Sequence, residues 1–356
     1  MPTRRRRSES PPRRWPYLLL VLAGAVLGVV FWAYTPDLPA EVLIQRYGAG
    51  SSFIDVGGVR TRIRDTGPPA GKPDAVPLIL LHGSLESLDV WDGWVRELSP
   101  RVRVIAVDLP GHGLTGPWER DEYTIDAYTD FVEVLADTLR LDRFALGGHS
   151  MGGAIAWSFA STRPERVSHL ILVDSAGYPG TGRVPLSIQL ARLPVIGGLG
   201  IYFKPDSHAR DTLLDVYADP AMVTPERVKR YAELQRFPGN RHATLVRVRL
   251  QDPLDPTTLK RLDVPTLILW GAKDKWVPVG DAHRFQNDIK RAKLAIFSEA
   301  GHNPMEEQPA ATAKAVADFL PDKLVARPEP RQEPPPAPND AATGGQVRPA
   351  VEPEKD

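Results

Sequence analysis

Six short apolar runs without polar alternation constrain this chain more than any other feature. They are PLILLHG (77–83), VRVIAVDLPG (102–111), RFALGGHS (143–150), SHLILVDSAG (168–177), PTLILWGAKD (265–274) and KLAIFSEAGH (293–302). Each is rich in Val, Ile and Leu and closes on small or polar residues. Such runs suit strands covered on both faces, as in a parallel sheet. Helical patterns lie between them. In TIDAYTDFVEVLADTLRL (124–141), Ile125, Tyr128, Phe131, Val132, Leu135 and Leu139 fall on one stripe, with Thr124 placed as the N-cap. The alternation predicts an α/β fold with a mainly parallel central sheet and helices on both faces. SFIDVGGVRTRIRDTG (52–67) reads instead as an antiparallel hairpin turning at Gly57-Gly58.

The alternation breaks once, between Tyr178 and Asp263, where no buried strand is evident. Segments such as DSHARDTLLDVYADP and PERVKRYAELQRFPG read as short helices with proline and glycine stops. An insertion of that size is too long for a simple loop. The chain therefore divides into a core of 51–177 and 264–325 and an inserted helical cap of 178–263, with a packing subdomain remote from any site as the alternative. Within the cap, LPVIGGLGIYF (193–203) is expected to pack against the core, or else to line an apolar entrance. The basic residues of RHATLVRVR (241–249) are expected on a solvated helix face.

The two ends lie outside this pattern. Residues 1–14 hold six arginines against one acid, and residues 15–34, WPYLLLVLAGAVLGVVFWAY, hold no charge. A helix of about 20 apolar residues crosses the ~30 Å hydrocarbon layer. Aromatic residues mark both edges of the stretch, Trp15 and Tyr17 on one side and Phe31, Trp32 and Tyr34 on the other. This predicts a transmembrane anchor over 15–34 and a linker over 35–50. The apolar run is too long for an ordinary signal peptide, and no A-x-A-like site follows it closely. The arginines place residues 1–14 in the cytoplasm and the rest of the chain outside the cytoplasmic membrane, in the periplasm if the source is bacterial. Residues 326–356 are Pro-, Glu- and Ala-rich without apolar periodicity, which predicts a disordered tail.

Composition closes several other routes. Lys plus Arg and Asp plus Glu each number 44, so no global charge favours nucleic acid as a partner. The absence of cysteine excludes disulfides, thiolate metal sites and thiol catalysis. His169, His208, His242 and His283 lack ligand-like spacing, so no metal is expected.

Chemistry is concentrated at strand ends. Gly148-His149-Ser150-Met151-Gly152 fits G-x-S-x-G between a strand and the helical GAIAWSFAST, the setting in which a serine sits on a strained turn. A serine hydroxyl needs a base, and the base needs an orienting partner. Asp274 follows the next-to-last apolar run and His302 the last, giving the chain order Ser, Asp, His. Asp174, after its own strand, is the alternative acid. An oxyanion hole is expected from the backbone N–H of Met151 and that of Ser84, with Leu85 the alternative to Ser84. His149 reads as structural, and His82 and His112 as loop braces.

With these motifs in register, the chain resembles the α/β-hydrolase fold superfamily in its capped, serine-nucleophile branch. HGS (82–84), DLPGHG (108–113), GHSMGG (148–153), WGAKD (270–274) and GHNPMEEQP (301–309) match its landmarks in order, over roughly residues 51–320. The resemblance implies hydrolysis without a cofactor, with Ser150 acylated, His302 as base and Asp274 as its orienter. Ser150 stands where dehalogenases and epoxide hydrolases carry Asp. Carbon–carbon hydrolases of meta-cleavage type usually read HGSGPG and place Trp after the catalytic His, whereas Leu85-Glu86 and Asn303 stand here. The expected activity is carboxylic-ester hydrolysis on a small or lipid-like substrate. Carbon–carbon cleavage, acyl transfer or perhydrolysis by the same triad is the alternative, and a non-catalytic binding module the rival from another class.

Overall fold

A computed structural model describes residues 15–181, 206–250 and 254–324, together with 189, 191–193, 197, 202 and 252. The basic segment expected over 1–14 and the tail expected over 326–356 lie outside the described residues, as does most of 193–203.

The first helices are α1 (Trp15–Ala33) and α2 (Ala40–Tyr47). The core then runs β1 (Ser52–Val56), β2 (Val59–Asp65), β3 (Pro77–Leu81), α3 (Asp92–Leu98), β4 (Arg103–Val107), α4 (Ile125–Thr138), β5 (Phe144–His149), α5 (Met151–Thr162) and β6 (Val167–Val173). Three cap helices follow among the described residues: α6 (Asp206–Val216), α7 (Pro225–Leu234) and α8 (Asn240–Arg249). The core resumes with β7 (Thr266–Gly271), α9 (Gly280–Asp288), β8 (Ala292–Phe297), α10 (Pro304–Glu307) and α11 (Pro309–Phe319).

The eight strands form one sheet in the order β1-β2-β4-β3-β5-β6-β7-β8. The β1–β2 hairpin and the β2–β4 pairing are antiparallel, and every other pairing is parallel. The six apolar runs all form strands. β3, β5 and β7 are buried at every position because α-helices cover both sheet faces. β8 differs: burial is only intermediate at best along it, because it lies at the sheet edge. One face carries α4, α5 and α9, packed through Tyr128, Phe131, Leu135, Phe159 and Phe285. The other carries α3 and α11, around Trp91, Trp94 and Val316. Thr124 caps α4 as expected, its hydroxyl accepting the N–H of Ala127 at 3.1 Å.

A fully buried Arg62 on β2 pairs with Asp89 at 3.0 Å and Asp108 at 3.4 Å. Asp108 also accepts the N–H groups of Leu88 at 2.6 Å and Leu114 at 2.7 Å. This carboxylate thereby fixes the two loops that frame the site, after β3 and after β4.

The segment expected as a linker is structured. Leu43 of α2 is buried against Leu114, Leu234 and Phe237, and Tyr47 donates to Glu233 at 2.7 Å. Arg241, expected on a solvated face, is buried and pairs with Asp37 at 2.6 Å. The cap thus gains part of its packing from residues that precede the core.

α1 contains no charged residue, and its described apolar side chains are exposed, Leu18, Leu20, Val21 and Leu27 among them. Side chains at 16 and 30–33 lie outside the description, the edge aromatics Phe31 and Trp32 included. Counted over the described residues, no helix is long and apolar enough to cross a membrane.

Candidate functional site

Ser150 stands between β5 and α5 with φ 51° and ψ −115°, a strained backbone for a residue with a side chain. Close packing enforces the turn. A Cβ on Gly148 would run into the carbonyl of Gly152, and one on Gly152 into the carbonyls of Leu81 and His82. The serine is thereby lifted above the sheet at the carboxyl end of its strands, where open α/β sheets place their clefts.

Asp274 follows β7 and His302 follows β8. His302 Nδ1 lies 2.7 Å from Asp274 Oδ2, and the carboxylate is fully buried. Its second oxygen accepts the N–H groups of Trp276 at 2.7 Å and Val277 at 3.0 Å. Burial alone would raise the Asp274 carboxyl, but the charge and hydrogen bond of His302, with the backbone donor of Val277, hold it below its ordinary range. His302 and Ser150 line one cleft, walled by Leu213 and Val216 from the cap and by Trp276, whose ring stacks on His302 at 5.8 Å.

Ser84 and Leu85 line the same cleft from the loop after β3. The Ser84 hydroxyl lies 3.5 Å from the Met151 sulfur, so the two residues expected to supply oxyanion donors are neighbours. Met151 is the first residue of α5, where a helix leaves its N–H groups without an intrahelical acceptor.

Asp174 is brought close to the pair but not to the imidazole's hydrogen bond. It follows β6 with φ 42°, is fully buried, and accepts the Gly271 N–H at 3.0 Å. Asp174, Asp274 and His302 each present a ligand-type atom within 4.8 Å of the others, a grouping that histidine spacing alone does not reveal. A cation there would find most ligand atoms engaged and, among the described residues, no fourth member of the group, so the residues fit a metal poorly.

Several residues of the site have no motif in the sequence. Glu86 is buried and accepts from the Gly83 N–H at 2.8 Å, from Asn303 at 2.8 Å and from His149 Nδ1 at 2.9 Å. His149, expected to be structural, lines the cleft and donates from Nε2 to the His302 carbonyl at 2.8 Å. Burial would push the Glu86 carboxyl up, but the imidazolium of His149 and the hydrogen bonds bring it down to about 2. Burial likewise works against charge on His149, and Glu86 outweighs it, raising the imidazole above its usual value. From the cap, Tyr231 and Gln235 also reach the cleft. His82 does brace loops: its Nδ1 lies 2.7 Å from the Gly83 carbonyl, and its Nε2 accepts the Leu109 N–H at 3.0 Å.

Comparison with known proteins agrees with this fold. Residues 76–195 match the family model described as the alpha/beta hydrolase fold. The chain is 30% identical to 2-hydroxymuconate semialdehyde hydrolase of Pseudomonas sp. (strain CF600), over 75% of this chain and 92% of that one. It is 24% identical to monoacylglycerol lipase abhd6-B of Xenopus laevis, over 85% of this chain and 88% of that one. A solved structure, that of a membrane phospholipase A described as a novel bacterial virulence factor, matches with a TM-score of 0.65 at 26% identity, covering 86% of this chain and 97% of that one. The chain belongs to the α/β-hydrolase fold family. The relatives named here are hydrolases, and the chain is an enzyme of that class.

Proposed function

We propose that this protein is a membrane-anchored serine hydrolase that cleaves a carboxylic ester of a small or lipid-like substrate. The observation that carries the reading is the 2.7 Å contact between His302 and Asp274 beside Ser150 in one apolar cleft. In this mechanism His302 Nε2 takes the Ser150 proton as Oγ attacks the ester carbonyl. Asp274 fixes the tautomer and stabilises the imidazolium that forms. The oxyanion is received by the backbone N–H groups of Met151 and Ser84, donors of a kind whose loss costs about 10² to 10³ in rate. His302 then returns the proton to the leaving alcohol and activates a water to release the acyl group.

Two observations support the lipid-like substrate and the anchor. The cleft walls are largely apolar, and α1 is uncharged with its described side chains exposed. In addition, the lipase and phospholipase relatives align with 85% and 86% of the chain, more than residues 51–325 supply. The arginines of 1–14 favour a cytoplasmic N-terminus and an extracytoplasmic catalytic domain. An alkaline phosphatase fusion after Leu320 is then active; activity only from a cytoplasmic reporter there would refute the topology.

The 30% identity to a 2-hydroxymuconate semialdehyde hydrolase favours carbon–carbon hydrolysis as the second reading. A fluorophosphonate probe tests the shared triad: labelling maps to Ser150 and disappears in Ser150→Ala. A series of p-nitrophenyl esters, run beside 2-hydroxymuconate semialdehyde, separates the two. Turnover of that compound without turnover of any ester would reject the ester reading.

A further inference from the structure

The mechanism above leaves one buried acid unused. Asp174 lies at the end of β6, beside β7, and is wholly enclosed. Its Oδ1 accepts the Gly271 N–H at 3.0 Å. Its Oδ2 is equally buried and receives no N–H or O–H from any described residue. The groups facing it are Asp274 from the loop after β7, His302 from the loop after β8 and Glu307 from α10. With two further acids around it, a carboxylate oxygen in that position would have no compensating donor. An unpaired buried charge of this kind is neutralised rather than tolerated.

We propose that Asp174 is a protonated carboxylic acid that donates its Oδ2–H to Asp274, making it a positioning residue behind the catalytic pair. Burial first, and then the charge of Asp274, push the Asp174 carboxyl well above the ordinary carboxylate range. The same hydrogen bond helps hold Asp274 down. Asp274 thus has acceptor capacity filled on both oxygens, Oδ1 by Trp276 and Val277 and Oδ2 by His302, with Asp174 adding a fourth donor. The carboxylate is fixed in direction, and part of its charge is drawn away from the imidazole. The left-handed backbone of Asp174, φ 42°, suits Asp or Asn, so the isosteric amide fits without strain. Asn supplies the same two functions, a carbonyl oxygen for Gly271 and an N–H for Asp274.

The catalytic consequence rests on the ester-hydrolase reading, whereas the protonation state does not, and two measurements keep them apart. The infrared difference spectrum of wild-type protein minus Asp174→Asn, at neutral pH, shows the carbonyl stretch of a protonated carboxylic acid. Its absence overturns the proposal whatever the activity. The pH profile of kcat/KM is then recorded for wild type, Asp174→Asn and Asp174→Ala on the best ester or with fluorophosphonate labelling. Asp174→Asn keeps kcat within ~10-fold and the acid limb near that of wild type, as expected where one donor replaces another. Asp174→Ala removes the donor, concentrates the Asp274 charge on the pair, and moves the acid limb to higher pH. An unmoved limb in a folded Asp174→Ala, or an Asn variant no better than Ala, rejects the positioning role. If Asp174→Ala does not fold, the infrared measurement and the Asn profile decide. Activity lost in EDTA and restored by a divalent cation would place a metal, not a proton, between the carboxylates and also overturn it.

Discussion

The imidazole of His149 donates to the backbone carbonyl of His302 at 2.8 Å, so the residue before the serine holds the residue that carries the base. Through Nδ1 it also meets Glu86 at 2.9 Å, and Glu86 in turn accepts from Gly83 and Asn303. The elbow, the loop after β3 and the loop after β8 therefore converge on one buried ion pair. Removing either partner leaves the other charge enclosed, a loss of about 3–5 kcal/mol for pairs of this kind.

That pair gives stability a defined pH dependence. His149 is raised in the folded protein, so its contribution is complete below the unfolded histidine value, about 6.5, and declines as pH rises through the higher folded value. Glu86 is lowered to about 2, so its contribution is present above the unfolded glutamate range and is lost as pH falls toward that value. Thermal denaturation between neutral and alkaline pH measures the first. Wild type loses Tm as pH rises past the histidine range, and Glu86→Gln shows a flatter profile from a lower starting point. Parallel profiles for the two proteins would mean that His149 is neutral in the fold.

Asp274→Asn tests the orienter. The amide preserves shape but cannot hold the same imidazole tautomer, a change that costs on the order of 10⁴ in kcat in triads of this type. A loss of that order is expected in ester turnover, far larger than any accompanying fall in Tm explains. A loss below about tenfold would show that Asp274 does not orient His302 during the reaction.

The serine turn is tested at Gly152. Its missing Cβ leaves room for the carbonyls of Leu81 and His82, which run directly alongside. Gly152→Ala must displace β3 or α5, an overpacking cost of roughly 1–3 kcal/mol. Because the loop after β3 carries Ser84, the expected result is a larger loss in fluorophosphonate labelling than the drop in Tm alone explains. Full labelling rate in Gly152→Ala would show that the turn tolerates a side chain.

Much of this arrangement is legible in the sequence because it depends on short-range pattern. The strands show as apolar runs since both sheet faces are covered, and Ser150, Asp274 and His302 show because each ends such a run. What the sequence hides depends on distant partners. Glu86 finds His149 across 63 positions, and neither has a periodic signal that names the other. Arg241 looks like part of a solvated basic face because its acceptor, Asp37, lies 204 positions away. Asp174 and Asp274 both follow strands, and only the direction of the His302 ring separates their roles. β8 reads like the inner strands, but its edge position leaves part of it exposed.

The contacts of Asp37 and Leu43 also change what is expected from trimming the N-terminus. Leu38 N–H donates to the Arg236 carbonyl at 2.9 Å, and Arg236 donates to the Pro36 carbonyl at 2.9 Å. Together with Leu43 and the Arg241–Asp37 pair, these hold α7 and α8 of the cap, and α7 runs directly into Gln235 at the cleft. A fragment of residues 35–324 keeps every one of these contacts and is expected to be folded and active. A fragment of residues 51–324 loses the burial of Leu43, worth about 1.5–3 kcal/mol, and leaves Arg241 without Asp37, about 1–3 kcal/mol more. That corresponds to a Tm lower by roughly 5–24 °C. Since the cap supplies one wall of the cleft, KM for the best ester is expected to rise more than kcat falls. Equal Tm and equal KM for the two fragments would show that residues 35–50 act only as a tether.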